Sequence, residues 1–90
     1  MRIDLLLKTL CLVRTRSQGQ AGCAAGAVRL NGAVVKPSRE VRAGDIVDIR
    51  YPGREIVIEL LELPPGQISK KDAPSFYRVI RERTTGPAGR

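Results

Sequence analysis

The sequence predicts an α+β fold, with two N-terminal helices packed on a small, mostly antiparallel sheet and a short C-terminal helix. Three observations carry that expectation. Apolar residues near the N-terminus recur at helical spacing. From Ala27 to Leu61 they alternate with period two. Asn31-Gly32, Gly44-Asp45 and Pro52-Gly53 then punctuate the alternating runs as turns. At 90 residues the chain has the length of one domain and not two.

Asp4 fits the N-cap of a first helix running to about Val13, whose Ile3, Leu6, Leu7, Leu10 and Val13 form one apolar stripe. Lys8 falls off that stripe and faces outward. Thr15-Arg16-Ser17-Gln18 fits a capping box, with a hydroxyl at the N-cap and Gln three residues on. It opens a second helix that runs to about Ala25 and stops at Gly26. Gly19 and Gly22 inside it cost about 1 kcal/mol each relative to Ala. Because the residues around them are almost all small, the glycines predict close approach of the first helix, in preference to a locally weak helix that firms up on binding.

Residues 27–30 and 33–36 read as a hairpin across Asn31-Gly32, a pair suited to a type I′ turn. Pro37-Ser38 ends its second strand. Residues 46–51 and 55–61 read as a second strand pair. Pro74 sits near the start of a short helix carrying Phe76, Tyr77, Val79 and Ile80. Residues 84–90 read as a frayed tail. The expected organisation is an RNA-binding unit over 1–50, a completing strand and helix over 51–83, and the tail.

Sixteen Lys and Arg against nine Asp and Glu leave a net charge of +7, which makes a polyanion the first partner to consider. The charge is segregated. Residues 1–42 hold eight basic and two acidic side chains, 43–69 two and five, and 70–90 six and two. A partner-binding face is therefore expected in the first half, with the acidic middle holding the rest of the molecule off the polyanion. The sequence has no histidine, so the usual general base and the commonest nitrogen ligand are missing. Cys11 and Cys23 are not spaced as a CxxC pair, and they read as reduced, small packing residues. No catalytic residue, metal or cofactor is expected. No signal-peptide pattern and no stretch of roughly 18 apolar residues is present, so a cytoplasmic protein without a membrane partner is expected.

The aromatic residues Tyr51, Phe76 and Tyr77 all lie outside the basic half. Binders of single strands stack bases on aromatic platforms, so a basic half without them is suited to structured RNA read by its backbone. Arg2 precedes the first helix, and Arg14 and Arg16 flank the start of the second, whose N-terminus offers unpaired N–H groups to a phosphate. Ser17 stands beside Arg16, and Gln20 lies one turn beyond it on the same face. Arg29, Asn31 and Lys36 lie on the hairpin, with Arg39 just after it. Together with Lys8, these are the candidate RNA-binding residues.

Arg2-Ile3-Asp4 with Leu7, Thr15-Arg16-Ser17, residues 26–32, Lys36-Pro37-Ser38 and Gly44-Asp45-Ile46 occur in that order. Over residues 1 to about 50 this set resembles the S4 RNA-binding domain. The remainder is similar to the small stand-alone ribosome-associated members of that family, the ribosome quality control factors and related heat-shock proteins. The resemblance implies an S4-like fold and a non-catalytic factor. It implies binding to large ribosomal subunits that hold peptidyl-tRNA, with contacts to ribosomal RNA and tRNA. The P-site tRNA would be stabilised while C-terminal tails are added to stalled chains, with a tailing factor on the same particle. Off the ribosome the resemblance implies a monomer. Arg2 and Arg16 match the family's RNA-contacting arginines. The family is often basic at the positions of Cys11 and Ala27 and larger at Gly19 and Gly22, which implies two lost contacts; Arg14, Arg39 and Arg42 are the candidates to replace them.

Two other readings compete. A ribosome-assembly factor, or one that recycles blocked large subunits without tailing, would share the RNA-binding features. A β-grasp sulfur carrier shares the Asn-Gly hairpin and Gly-Asp turn, but needs a C-terminal Gly-Gly where this chain has Pro87-Ala88-Gly89-Arg90.

Overall fold

The first helix, α1 (Ile3–Thr9), buries Ile3, Leu6 and Leu7 along its stripe. A computed structural model describes residues 1–84 of the chain; the expected tail, apart from Thr84, lies outside them. The helix ends four residues earlier than its apolar spacing predicts. Its C-cap is Leu10, and Cys11 adopts a left-handed φ of 60°. The Cys11 N–H donates to Lys8 O at 3.0 Å and the Leu12 N–H to Leu7 O at 2.9 Å. That is a helix stop normally built on glycine, and without a glycine the sequence gives no sign of it. A second correction concerns the start: the N-cap is Arg2, and Asp4 lies inside the first turn, fully buried.

The second helix, α2 (Arg16–Ala24), matches its expected span, with Thr15 at the N-cap. Thr15 Oγ1 accepts from the Gln18 N–H at 3.1 Å, and Gln18 Oε1 accepts from the Arg14 N–H at 2.8 Å, one residue before the usual capping-box partner. Gly26, at φ 76°, turns the chain out, and the Ala27 N–H donates to Gly22 O at 2.9 Å. The expected close approach of the first helix is present at Gly19, whereas Gly22 faces Val28, just beyond the helix end, instead. A Cβ on Gly19 would lie 3.1 Å from the Asp4 carbonyl oxygen, and one on Gly22 would lie 3.1 Å from Val28 Cγ2.

Five antiparallel strands follow: β1 (Val28–Leu30), β2 (Ala33–Val34), β3 (Ile46–Tyr51), β4 (Arg54–Leu60) and β5 (Tyr77–Thr84), in the order β2-β1-β3-β4-β5. Strand β2 is two residues shorter than the expected 33–36. Val28, Leu30, Val47, Ile49, Ile56, Ile58 and Leu60 turn one face of the sheet onto α1 and onto Cys23 of α2, making the core. The Tyr51 hydroxyl donates to the Leu12 carbonyl and ties the α1–α2 connection to the end of β3. Cys23 packs as expected, whereas Cys11 is exposed, because the left-handed turn points it away from the core.

The expected C-terminal helix is absent. Pro74 does begin a helical turn, but only a 3-10 turn, Ala73–Phe76, and Tyr77 onward pairs with β4 as an edge strand. The spacing of Phe76, Tyr77, Val79 and Ile80 suits a helix or a bulged strand. The partner decides between them: β4 has an unpaired edge, and Glu55 and Glu59 on it pair with Arg83 and Arg78.

The acidic middle also differs from expectation. The carboxylates of Glu55 and Glu59 are not a repulsive surface but ion-paired to arginines of β3 and β5. Pairing across strands mixes the two sequence blocks that the linear count kept apart.

Candidate nucleic-acid interface

Asp4 organises the basic residues at the mouth of α2. Its carboxylate is fully buried, and Oδ1 accepts from the Leu5 N–H at 2.8 Å. Arg2 reaches it with Nε at 3.2 Å from Oδ1 and Nη2 at 3.0 Å from Oδ2, a bidentate fork. Gln20 Nε2 donates to Oδ2 at 3.0 Å. Arg16 Nε lies 3.3 Å from the same oxygen, as an ion pair outside aligned hydrogen-bond geometry. Burial pushes the Asp4 carboxyl up, but the hydrogen bonds from Gln20 and the Leu5 N–H and the Arg16 guanidinium beside it outweigh that, holding the group below the ordinary 3.8.

The segment after β2 is pinned to the same place. The Ile3 N–H donates to Arg39 O at 2.8 Å and the Asp4 N–H to Pro37 O at 3.2 Å, so this loop satisfies the open N-terminus of α1. Arg2 bridges to Glu40 as an isolated β-pair, and the Met1 ammonium pairs with Glu40 at 2.9 Å. As a result Arg2, Ser17, Gln20, Lys36 and Ser38 line one open groove between α2 and the loop. The Arg2 and Arg16 side chains stay 43% and 42% exposed, so each is anchored at one edge and open to a ligand.

The other candidates are distributed. Arg39 shares a shallow depression with Lys36. Lys8 and Arg14 line a separate depression, joined by Lys70 from the segment after β4. Arg29 lies between the inward-facing Val28 and Leu30, so it projects from the sheet face opposite the helices. Asn31 is occupied: its amide donates to Asp45 Oδ1 at 3.2 Å and accepts from the Ile46 N–H at 2.9 Å, locking the hairpin to the start of β3. Sequence reasoning missed Asp4 as the hub of the site. Its signal was the acidic residue two places after Arg2, set between the apolar Ile3 and Leu7 where an unpaired charge has no room.

The S4 domain family model matches residues 1–47, the span that contains α1, α2, the hairpin and the groove. The chain belongs to the S4-domain family. Among S4-domain relatives, the RQC P-site tRNA stabilizing factor of Listeria monocytogenes is 32% identical over 85 residues, spanning 94% of this chain and 91% of that protein. The factor of the same name from Streptococcus pneumoniae is 28% identical over 82 residues, 91% of this chain and 92% of that one. Among solved structures, heat shock protein 15 of Vibrio cholerae superposes with a TM-score of 0.83 at 26% identity, covering 88% of this chain and 80% of that one. The hypothetical protein HP1423 superposes with a TM-score of 0.77 at 33% identity, covering 90% and 98%.

Proposed function

We propose that this protein is a non-catalytic, cytoplasmic ribosome quality control factor. It binds large ribosomal subunits carrying peptidyl-tRNA and stabilises the P-site tRNA during C-terminal tailing of stalled chains. The observation that carries the reading is the convergence of Arg2, Arg16 and Gln20 on one buried carboxylate beside an open groove. Two arginine heads held in fixed positions with donors left over are suited to phosphodiester oxygens, which present paired acceptors to a guanidinium fork. Relatives named as P-site tRNA stabilizing factors, aligned over nearly the whole chain, support the assignment to tRNA-bearing particles.

In this reading Arg2, Arg16, Ser17, Gln20 and Lys36 hold one RNA backbone in the groove, with Arg39 extending it. Lys8, Arg14 and Lys70 form an outlying basic contact. The factor acts by binding alone, beside a tailing factor that supplies the chemistry, and it is a monomer off the ribosome. Cosedimentation with purified large subunits carrying peptidyl-tRNA tests it. Arg2→Ala and Arg16→Ala are each expected to lose most of the bound fraction while the protein stays folded by circular dichroism. Wild-type cosedimentation of both variants would rule the reading out. A factor that recycles particles without tailing is separated by a reconstituted tailing reaction, in which added protein is expected to lengthen the tails.

A further inference from the structure

The sheet face turned away from the helices carries a second arginine cluster built on the same plan as the first. Glu55 is 2% exposed and is reached by three guanidinium groups: Arg83 Nε at 2.8 Å, Arg50 Nε at 3.5 Å and Arg81 Nη2 at 3.9 Å. Arg78 pairs with Glu59 two residues further along that face of β4 than Val57. The register shift between Val57 and Ile58 makes this possible. Strict alternation back from Arg83 and Arg81 would send Arg78 to the helix side, and the bulge returns it to the open face opposite Glu59.

The carboxylates do not neutralise this cluster. Only Arg83 hydrogen-bonds Glu55, Arg50 and Arg81 stand off as longer ion pairs, and the three side chains remain 55–57% exposed. Asp48 beside them is pushed up by burial and by Glu55, while Glu55 is held low, first by its hydrogen bond with Asp48. Arg29, in register with Asp48, has a buried Nε with no hydrogen-bond partner among the described residues. Val57, the apolar residue of this face on β4, is 8% exposed beneath these side chains. A protein partner would look for an apolar anchor, which this face withholds. Arg81 and Arg83 stand two residues apart on one strand, about 7 Å, comparable with the step between successive phosphates.

We propose that this open face, with Arg50, Arg78, Arg81 and Arg83 as its donors, is a second phosphodiester-binding surface, so that one molecule clamps two RNA segments at once. The proposal rests on the RNA reading of the α1–α2 groove and adds a second, opposed contact to it. A sheet face that reads backbone through arginine, with no aromatic to stack on, joins structured RNA rather than single strands.

A bridging assay tests it. A short RNA stem-loop on a surface captures the protein, and a fluorescent copy of the same stem-loop is then offered. The wild type is expected to retain the second RNA. Arg81→Gln/Arg83→Gln is expected to be captured by the first RNA within about twofold of wild type and to hold the second about tenfold more weakly. Arg81→Lys/Arg83→Lys keeps the charge and is expected to restore most of it. Arg78→Gln, whose partner Glu59 is 29% exposed rather than buried, is the variant that leaves the melting temperature unchanged and still weakens the second capture. Equal bridging by the Gln variants, or first capture without bridging by the wild type, would overturn the second surface alone. Failure of the wild type to be captured at all would overturn the groove reading with it.

Discussion

Arg16 Nε stands 3.3 Å from Asp4 Oδ2, the oxygen that also accepts Arg2 Nη2 at 3.0 Å. Two like charges are thus held side by side at the α1–α2 junction by one buried carboxylate. The arrangement links the fold to the binding surface: the group that seals the helix junction also aims the arginines.

Replacing that carboxylate should therefore affect stability and binding together. Asp4→Asn keeps the shape but removes the charge and turns an amide donor toward the guanidinium and Gln20 donors. The expected loss is about 1–3 kcal/mol in denaturant unfolding, the range for buried polar groups left mispaired. RNA affinity should fall about as far as in Arg16→Ala, measured by fluorescence anisotropy. Loss of stability with unchanged affinity would mean that the arginines need no anchor.

The same carboxylate sets an acid limit. Because Asp4 is held below 3.8 in the folded state, the unfolded chain binds its proton first as pH falls. Its stabilisation is complete above 3.8 and is lost as pH drops through the lower folded value. Melting temperatures followed from pH 5 downward should fall in the wild type and fall less steeply in Asp4→Asn.

Gly19 tests the close approach of the helices. Alanine there gains about 1 kcal/mol of helix propensity, yet its Cβ would sit 3.1 Å from the Asp4 carbonyl oxygen, a backbone atom with little room to yield. Overpacking is expected to win, with a net loss of about 1–2 kcal/mol for Gly19→Ala and more for Gly19→Val. Denaturant titration and RNA anisotropy on the same samples check both halves.

Binding through the groove is electrostatic and should respond to salt. With roughly five phosphate contacts, log affinity for a short RNA stem-loop against log salt should have a slope of about −3.5 to −4.5. Arg2→Ala should reduce that slope by about 0.7–0.9. A flat response in the wild type would remove the phosphate contacts from the account.

Asp48 and Glu55 should respond in opposite directions. Glu55→Gln leaves three arginines crowded without their counter-charge and is expected to lower the melting temperature by several degrees. Asp48→Asn removes the carboxylate that burial and Glu55 disfavour and is expected to be neutral or stabilising at neutral pH. Carboxyl carbon shifts followed by NMR should show Asp48 titrating above 3.8 and Glu55 below 4.5.

The sequence by itself determined the local pieces. A cap made by Thr15 and Gln18, a stop at Gly26, the turn at Asn31-Gly32 and alternation through β3 and β4 each depend on neighbours within a few residues. Arg2, Ser17, Gln20 and Lys36 were legible one by one as candidates, and it is the pinning of the loop after β2 to the start of α1 that brings them to one groove. Tertiary structure decided what depends on distant partners. Cys11 takes a helix stop that local preference gives to glycine, and Tyr77–Thr84 becomes a strand because β4 has an open edge lined with carboxylates. Asp4 turned from a cap into the hub of the groove because α2 crosses above it, and Arg29 went to the opposite face because strand alternation leaves no choice. Net charge of +7 named a class of partner, but where the charge is presented depends on which carboxylates meet which arginines, and only the folded chain brings those together.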